Sequence, residues 1–149
     1  MRHDSRLSRM LHVLIHMDRH EGAATSETIA AMLNTNPVVI RRTMAGLRDK
    51  GYVQSEKGHG GGWRLARPLS GITLLDVYRA LGEPPVFAIG PAVDNPECLV
   101  EQAVNAALDS ALREAEALLI SRLEKVTLAD LAVDFDRQLE KVRGGAHEP

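Results

Sequence analysis

The chain has 149 residues, a length that suits one compact domain or a small domain with a helical appendage. Its apolar fraction of 44% is enough for a core, whereas an aromatic content of 3% argues against a platform that stacks single-stranded nucleic acid. The single cysteine excludes an internal disulfide and fits a reducing compartment.

The net charge of −2 conceals a separation of charge along the chain. Residues 1–70 contain 11 Lys and Arg against 6 Asp and Glu, whereas residues 71–149 contain 7 against 14. This asymmetry indicates that the first half meets a polyanion, with chance clustering of solvated charge as the alternative. The first residues lack the apolar run of a signal peptide, and no run elsewhere is long enough to cross a membrane. We therefore expect a cytoplasmic protein.

The first fifty residues contain three short stretches with helical periodicity. The spacing of apolar residues predicts helices over residues 5–21, 25–34 and 37–50. The third helix has strong start signals, because Asn36 can cap it and Pro37 suits its first turn. Its inward positions are predicted to be Val39 or Ile40, then Met44 and Leu47, and its outward positions Val38, Arg41, Arg42, Ala45 and Arg48.

After Gly51 the apolar period changes from 3.6 to 2. Two short alternating stretches, YVQSEK and WRLAR, flank the glycine-rich segment 58–62, which is typical of a β-hairpin. Trp63 is expected to anchor the returning strand in the core. A further amphipathic helix follows over ITLLDVYRALGEP.

The remainder of the chain is mainly helical. A long helix is predicted from Cys98 to about Lys125, with an apolar stripe that a small domain cannot bury alone, so we expect a partner. A short helix, TLADLAVDFDRQL, follows it. The predicted division is a DNA-binding domain over 1–83, a connecting or sensor loop over 84–97, a helical dimerisation region over 98–143, and a disordered tail over 144–149.

The order helix, helix, sharp turn, helix, hairpin predicts a winged helix-turn-helix, within a mainly α fold that ends in a long dimerisation helix. The third helix would then be the recognition helix. Arg41 and Arg42 project from its first two turns, where reach to base edges and phosphates is best. Solvated surface arginine is the alternative for either residue taken alone.

The stretch NPVVIRRTMAGLRDKGYVQSEKGHGGGWRLARP resembles the bacterial IscR/NsrR/CymR regulators, also called the Rrf2 family. The resemblance covers about residues 5–130 and is most specific over 25–85. It implies a homodimer, formed through the C-terminal helix, that binds a double-stranded DNA operator. It also implies a recognition helix in the major groove and a glycine wing at the minor groove. The DNA contacts that we expect are Thr25, Ser26, Asn36, Pro37, Val38, Arg41, Arg42, Lys57, Gly58, His59, Gly60, Gly61 and Gly62.

Cluster-binding members of that family carry three cysteines before the dimerisation helix as ligands of an iron–sulfur cluster. This chain has only Cys98, in DNPECLVEQA, and so resembles the YwnA-like members without a cluster. We expect no cofactor. Cys98 is a sensor candidate, because a helix N-terminus favours a thiolate although Glu97 and Glu101 oppose it. Packing in the dimer interface is the alternative.

Two other patterns are weaker. His12, His16 and His20 are spaced four apart on the first helix, which suits a metal, but a solvent-facing stripe without acidic or thiol partners is the preferred interpretation, and we expect no metal site. The glycines match neither a phosphate loop ending in Gly-Lys-Ser/Thr nor a dinucleotide fingerprint, so we expect no enzyme. A winged-helix module that binds protein, or a regulator that responds to a small ligand or metal, remains as an alternative function.

Overall fold

The computed structural model describes residues 3–19, 22–58 and 62–145. Within them lie α1 (Arg6–Arg19), α2 (Ser26–Leu33), α3 (Pro37–Asp49), β1 (Val53–Glu56), β2 (Gly62–Leu65), α4 (Leu74–Ala80), α5 (Leu99–Lys125) and α6 (Leu128–Gly145). The predicted mainly α fold, a winged helix-turn-helix followed by a long helix, is confirmed. His20, His59, Gly60, Gly61 and the predicted tail residues 146–149 lie outside the described residues.

The core lies where α1, α2, α3, the hairpin and α4 meet. Each of these helices buries the apolar face that its 3.6-residue periodicity creates. On α3 the inward position is taken by Ile40, whereas Val39 stays exposed. Trp63 of β2 is buried, as the sequence predicts. The largest fully buried side chains include Leu14, Ile29, Ile40, Met44, Leu47, Ile72 and Leu128.

The structure divides the predicted dimerisation region 98–143 into two parts with different environments. No residue of the 27-residue helix α5 is buried. By contrast, α6 returns to the winged-helix core, where Leu128 is fully buried and Ala132 is nearly so. Helix α6 therefore belongs to the same core as α1 to α4.

The return of α6 is fixed by a short antiparallel bridge between Thr73 and Thr127. The Leu74 N–H donates to the Val126 carbonyl and the Leu128 N–H donates to the Ile72 carbonyl, both at 2.9 Å. A second tie joins α1 to α6, because Arg19 contacts the Asp136 carboxylate at 2.9 Å.

Helix α6 is also longer than the sequence predicts. It continues through Gly145, so residues 144 and 145, assigned to a disordered tail, are helical. None of the helices within the described ranges is both long enough and apolar enough to cross a membrane.

Candidate nucleic-acid interface

The sharp turn between α2 and α3 is built by two asparagines. Asn34 ends α2 in the left-handed conformation, at φ 52° and ψ 51°, which asparagine tolerates better than most residues. Asn36 begins α3 as its N-cap, and its side-chain oxygen accepts a hydrogen bond from the Val38 N–H at 2.8 Å. Pro37 occupies the first helical position. The predicted roles of Asn36 and Pro37 as start signals are thus confirmed.

The outward face of α3 carries the residues that the sequence predicts. Val38, Arg41 and Arg42 are exposed, while Ile40 and Met44 on the opposite face are buried. The first two turns therefore present two guanidinium groups and an apolar side chain together. This combination can contact phosphates, base edges and thymine methyl groups.

The two arginines differ in their surroundings. The Arg41 Nη2 atom lies 2.6 Å from Oε1 of Glu27, a residue of the first turn of α2. The next residue, Arg42, has no ion-pair partner within the described part of the chain. No sequence pattern points to Glu27, because it lies 14 positions before Arg41 and only the turn brings the two side chains together.

At the start of α2, the two predicted phosphate contacts have different roles. Thr25 is the N-cap, and its hydroxyl oxygen accepts a hydrogen bond from the Thr28 N–H at 3.0 Å. Ser26 is buried, only 7% exposed, and its hydroxyl oxygen accepts a hydrogen bond from the Trp63 indole N–H at 3.0 Å. The Ser26 side chain thus holds the wing strand, and a contact between Ser26 and phosphate stays a prediction.

The wing is the antiparallel hairpin of β1 and β2, in which Ser55 pairs with Trp63 and Glu56 with Gly62. Lys57 and Gly58, at the start of the tip, are exposed, while the tip residues His59, Gly60 and Gly61 lie outside the described residues. Gly58 has a φ of 101°, a conformation that side-chain-bearing residues rarely adopt.

Gly62 is required by packing. A Cβ atom placed there would lie 2.5 Å from the Ala24 carbonyl oxygen. The cause is a bridge between β2 and the segment before α2, in which Trp63 and Ala24 exchange two backbone hydrogen bonds of 2.8 and 3.0 Å. The wing is thereby joined directly to the start of α2.

Two cations of the hairpin stem are engaged within the protein. Arg64 pairs with Glu56 across the two strands. The Arg67 guanidinium lies over the Tyr52 ring, 5.3 Å from its centroid. Lys57, by contrast, is exposed at the start of the tip and has no ion-pair partner among the described residues.

Asp76, in the first turn of α4, has a perturbed carboxyl next to Tyr52 at the base of the wing. Burial opposes ionisation of this carboxyl, but hydrogen bonds from the Thr73 backbone, the Tyr52 hydroxyl and the Thr73 hydroxyl outweigh it and lower its pKa. Burial, followed by the hydrogen bond to Asp76, raises the pKa of Tyr52. The Asp76 carboxylate itself closes the start of α4 by accepting the Thr73 N–H at 2.9 Å.

The loop before α5 is held by polar side chains. Gln102 and Asn105 donate to the carbonyls of Pro96 and Ala92 at 3.0 and 2.7 Å. The Glu101 carboxylate accepts the Asn95 N–H at 2.9 Å and is thus engaged. Cys98 is the exposed N-cap of α5.

The donor set of this segment does not fit an iron–sulfur cluster. It supplies one thiol per chain, and no three His, Cys, Asp or Glu side chains of the described ranges converge as a metal site. On α1, His12 and His16 are exposed and lie with their Nε2 atoms 2.9 Å apart.

Comparison with known proteins agrees with this geometry. A family model described as "Rrf2: Iron-dependent Transcriptional regulator" matches residues 3–134. YwnA of Bacillus subtilis, named as an HTH-type transcriptional regulator, is 34% identical over 131 residues, which are 86% of this chain and 95% of YwnA.

Solved structures agree as well. A transcriptional regulator from Lactobacillus plantarum has the same fold with a TM-score of 0.74 at 22% identity, over 95% of this chain and 97% of that protein. CymR, described as the global cysteine regulator of Bacillus subtilis, gives 0.55 at 25% identity, over 89% and 98% of the two chains. The resemblance found in the sequence is thus confirmed, and the chain belongs to the Rrf2 family of transcription regulators.

Proposed function

We propose that the protein is a cytoplasmic, homodimeric regulator that binds a double-stranded operator sequence-specifically and represses transcription. The observation that supports this proposal most is the outward face of α3, where Arg41 and Arg42 stand exposed. In this proposal α3 lies in the major groove, and the wing follows the adjacent backbone.

Each contact surface would have its own task. Arg41, Arg42 and Val38 would meet bases and phosphates in the groove, and Lys57 would neutralise a phosphate from the wing. Thr25, half-buried at the N-terminus of α2, would contact a further phosphate.

Helix α5 would supply the dimer contact. One side of it carries exposed apolar residues three or four positions apart, the spacing of a coiled-coil seam: Val100, Val104, Leu108, Ala111, Ala115 and Leu118. A helix of 27 residues is about 40 Å long. The apolar side of such a helix is too long for one chain of this size to cover. Two such helices packed together would set the spacing between the two winged-helix domains on a twofold-symmetric operator.

A selection experiment tests this function. A library of random-sequence duplexes is enriched on the purified protein, and affinity for the enriched duplex is measured by fluorescence anisotropy over a range of salt. We expect affinity to fall steeply with salt, because bound phosphates release counterions. Arg41→Ala and Arg42→Ala should each abolish the preference for the enriched duplex over a scrambled one, while light scattering shows an intact dimer.

Unchanged preference in both arginine variants would exclude this use of α3. Binding to a protein partner with little salt dependence, and none to DNA, would instead support a winged-helix interaction module. The salt titration separates the two, since an apolar protein interface responds little to salt.

We further propose that Cys98 is the site at which an oxidant acts, and that no iron–sulfur cluster is involved. The support is the exposure of its thiol at the start of α5. Peroxide treatment, which converts a thiol to sulfenic acid, should change operator affinity, and Cys98→Ser should remove the change. Equal affinities of reduced and oxidised protein would leave Cys98 with a packing role only.

A further inference from the structure

The pairing of Arg41 with Glu27 calls for an explanation beyond stability. Both side chains are largely open to solvent, 54% and 64% exposed, at the surface that would face DNA. An exposed ion pair of this kind contributes roughly 0–1 kcal/mol to folding. A carboxylate is also an unfavourable group to place beside a polyanion, since like charges repel.

The position of Glu27 sharpens this point. It is the second residue of α2, where the helix dipole favours an anion. The same helix end would attract a DNA phosphate, so the Glu27 carboxylate occupies a place that suits a phosphate. Arg42, one residue beyond Arg41, has no such acidic neighbour among the residues that the structure describes.

Resting on the proposed DNA-binding function, we infer that Glu27 is a specificity-determining residue that positions Arg41. A guanidinium has five N–H donors, and the contact with Glu27 engages only the Nη2 end. The remaining donors stay available for a paired contact with a base edge, of which guanine is the commonest partner of arginine. Holding the side chain in one orientation lowers the entropy lost when that contact forms.

On unrelated sequences the same carboxylate would weaken binding. Without a matching base, Arg41 would turn to a phosphate and break its contact with Glu27. The carboxylate would then stand unpaired near the DNA backbone, which is unfavourable. Of the two arginines, Glu27 thus holds Arg41 in the orientation in which it reads a base.

The test compares Glu27→Gln with Glu140→Gln. Both raise the net charge by one, but Glu140 lies exposed on α6 and pairs with no residue of α3. Each protein is used to enrich the random duplex library, and its affinities for the wild-type enriched duplex and a scrambled duplex are measured. We expect Glu27→Gln to lower the ratio of the two affinities about tenfold, which corresponds to about 1.4 kcal/mol. Most of this change should come from tighter binding to scrambled DNA. Glu140→Gln should leave the ratio unchanged.

A double-mutant cycle separates positioning from general charge. In an Arg41→Ala background, Glu27→Gln should leave the affinity for scrambled DNA nearly unchanged, because its effect on that affinity acts through Arg41. The motif enriched by Glu27→Gln should also lose preference at the base pair that Arg41→Ala affects.

Three results would overturn the inference while the DNA-binding proposal stands. These are an unchanged ratio in Glu27→Gln, an equal change in Glu140→Gln, or a full effect of Glu27→Gln without Arg41. If the wild-type protein enriched no sequence, the proposed function would fail, and the inference with it.

Discussion

Two glycines of the wing, Gly58 and Gly62, look alike in the sequence, but the structure requires a glycine at each position for a different physical reason. Gly58 is needed for a backbone conformation, with a φ of 101°. Gly62 is needed for space, because Ala24 approaches the position where its Cβ would stand. A glycine that permits close contact with DNA and one that permits close contact within the protein cannot be distinguished by composition.

At the residue scale, Gly62→Ala should destabilise the protein by about 1–3 kcal/mol, since β2 has to move away from Ala24 to admit a methyl group. Gly90→Ala is the matched control, because a Cβ there meets no atom within 4 Å. Urea unfolding at a fixed protein concentration measures both. Equal midpoints for the two variants would show that the bridge between Trp63 and Ala24 yields easily.

The sequence predicts individual residues well where one local pattern decides their role. The alternating pattern places Trp63 inside, and the helical period places Arg41 and Arg42 outside. The sequence does not reveal the partner of the Ser26 hydroxyl, because a serine at a helix start can cap the helix, meet phosphate or bind an indole equally well. The indole that decides between these lies 37 positions away, and only the fold brings it near.

At the scale of elements, α4 and α6 begin in the same way. In each, a threonine and an aspartate three residues later exchange hydrogen bonds: Thr73 with Asp76 at 2.9 and 3.1 Å, and Thr127 with Asp130 at 2.9 and 3.2 Å. The two starts, ITLLD and VTLAD, lie antiparallel at the bridge between the threonines. Five residues are too few to stand out as a repeat, so this pairing could not be predicted.

The first of these caps should make stability depend on pH. The pKa of Asp76 is lowered in the folded state, so its contribution is complete above the ordinary aspartate range and is lost as pH falls below about 4. Asp76→Asn should therefore flatten the acid side of the stability curve, measured by urea unfolding between pH 3 and pH 7. An unaltered slope would show that other carboxylates account for the acid sensitivity. Thr127→Ala, at the more exposed second cap, serves for comparison.

At the scale of the whole molecule, the predicted domain 1–83 shares its core with the helix that follows α5. Its core includes Leu128 and Ala132 from α6, so the chain leaves the core, forms α5 and then returns. The sequence predicts that the apolar stripe of α5 is too long for a small domain to bury, and in the structure no residue of α5 is buried. The sequence does not show that α6 packs on the helices of the first half of the chain, because the apolar face of an amphipathic helix does not specify its partner.

The returning helix also affects the order in which a new chain matures. A ribosome releases α5 before α6, so the winged-helix core stays incomplete until Leu128 and Ala132 have emerged. By that time every apolar residue of the α5 stripe has already been synthesised. A nascent chain thus contains the α5 surface proposed for dimerisation before its winged-helix core is complete.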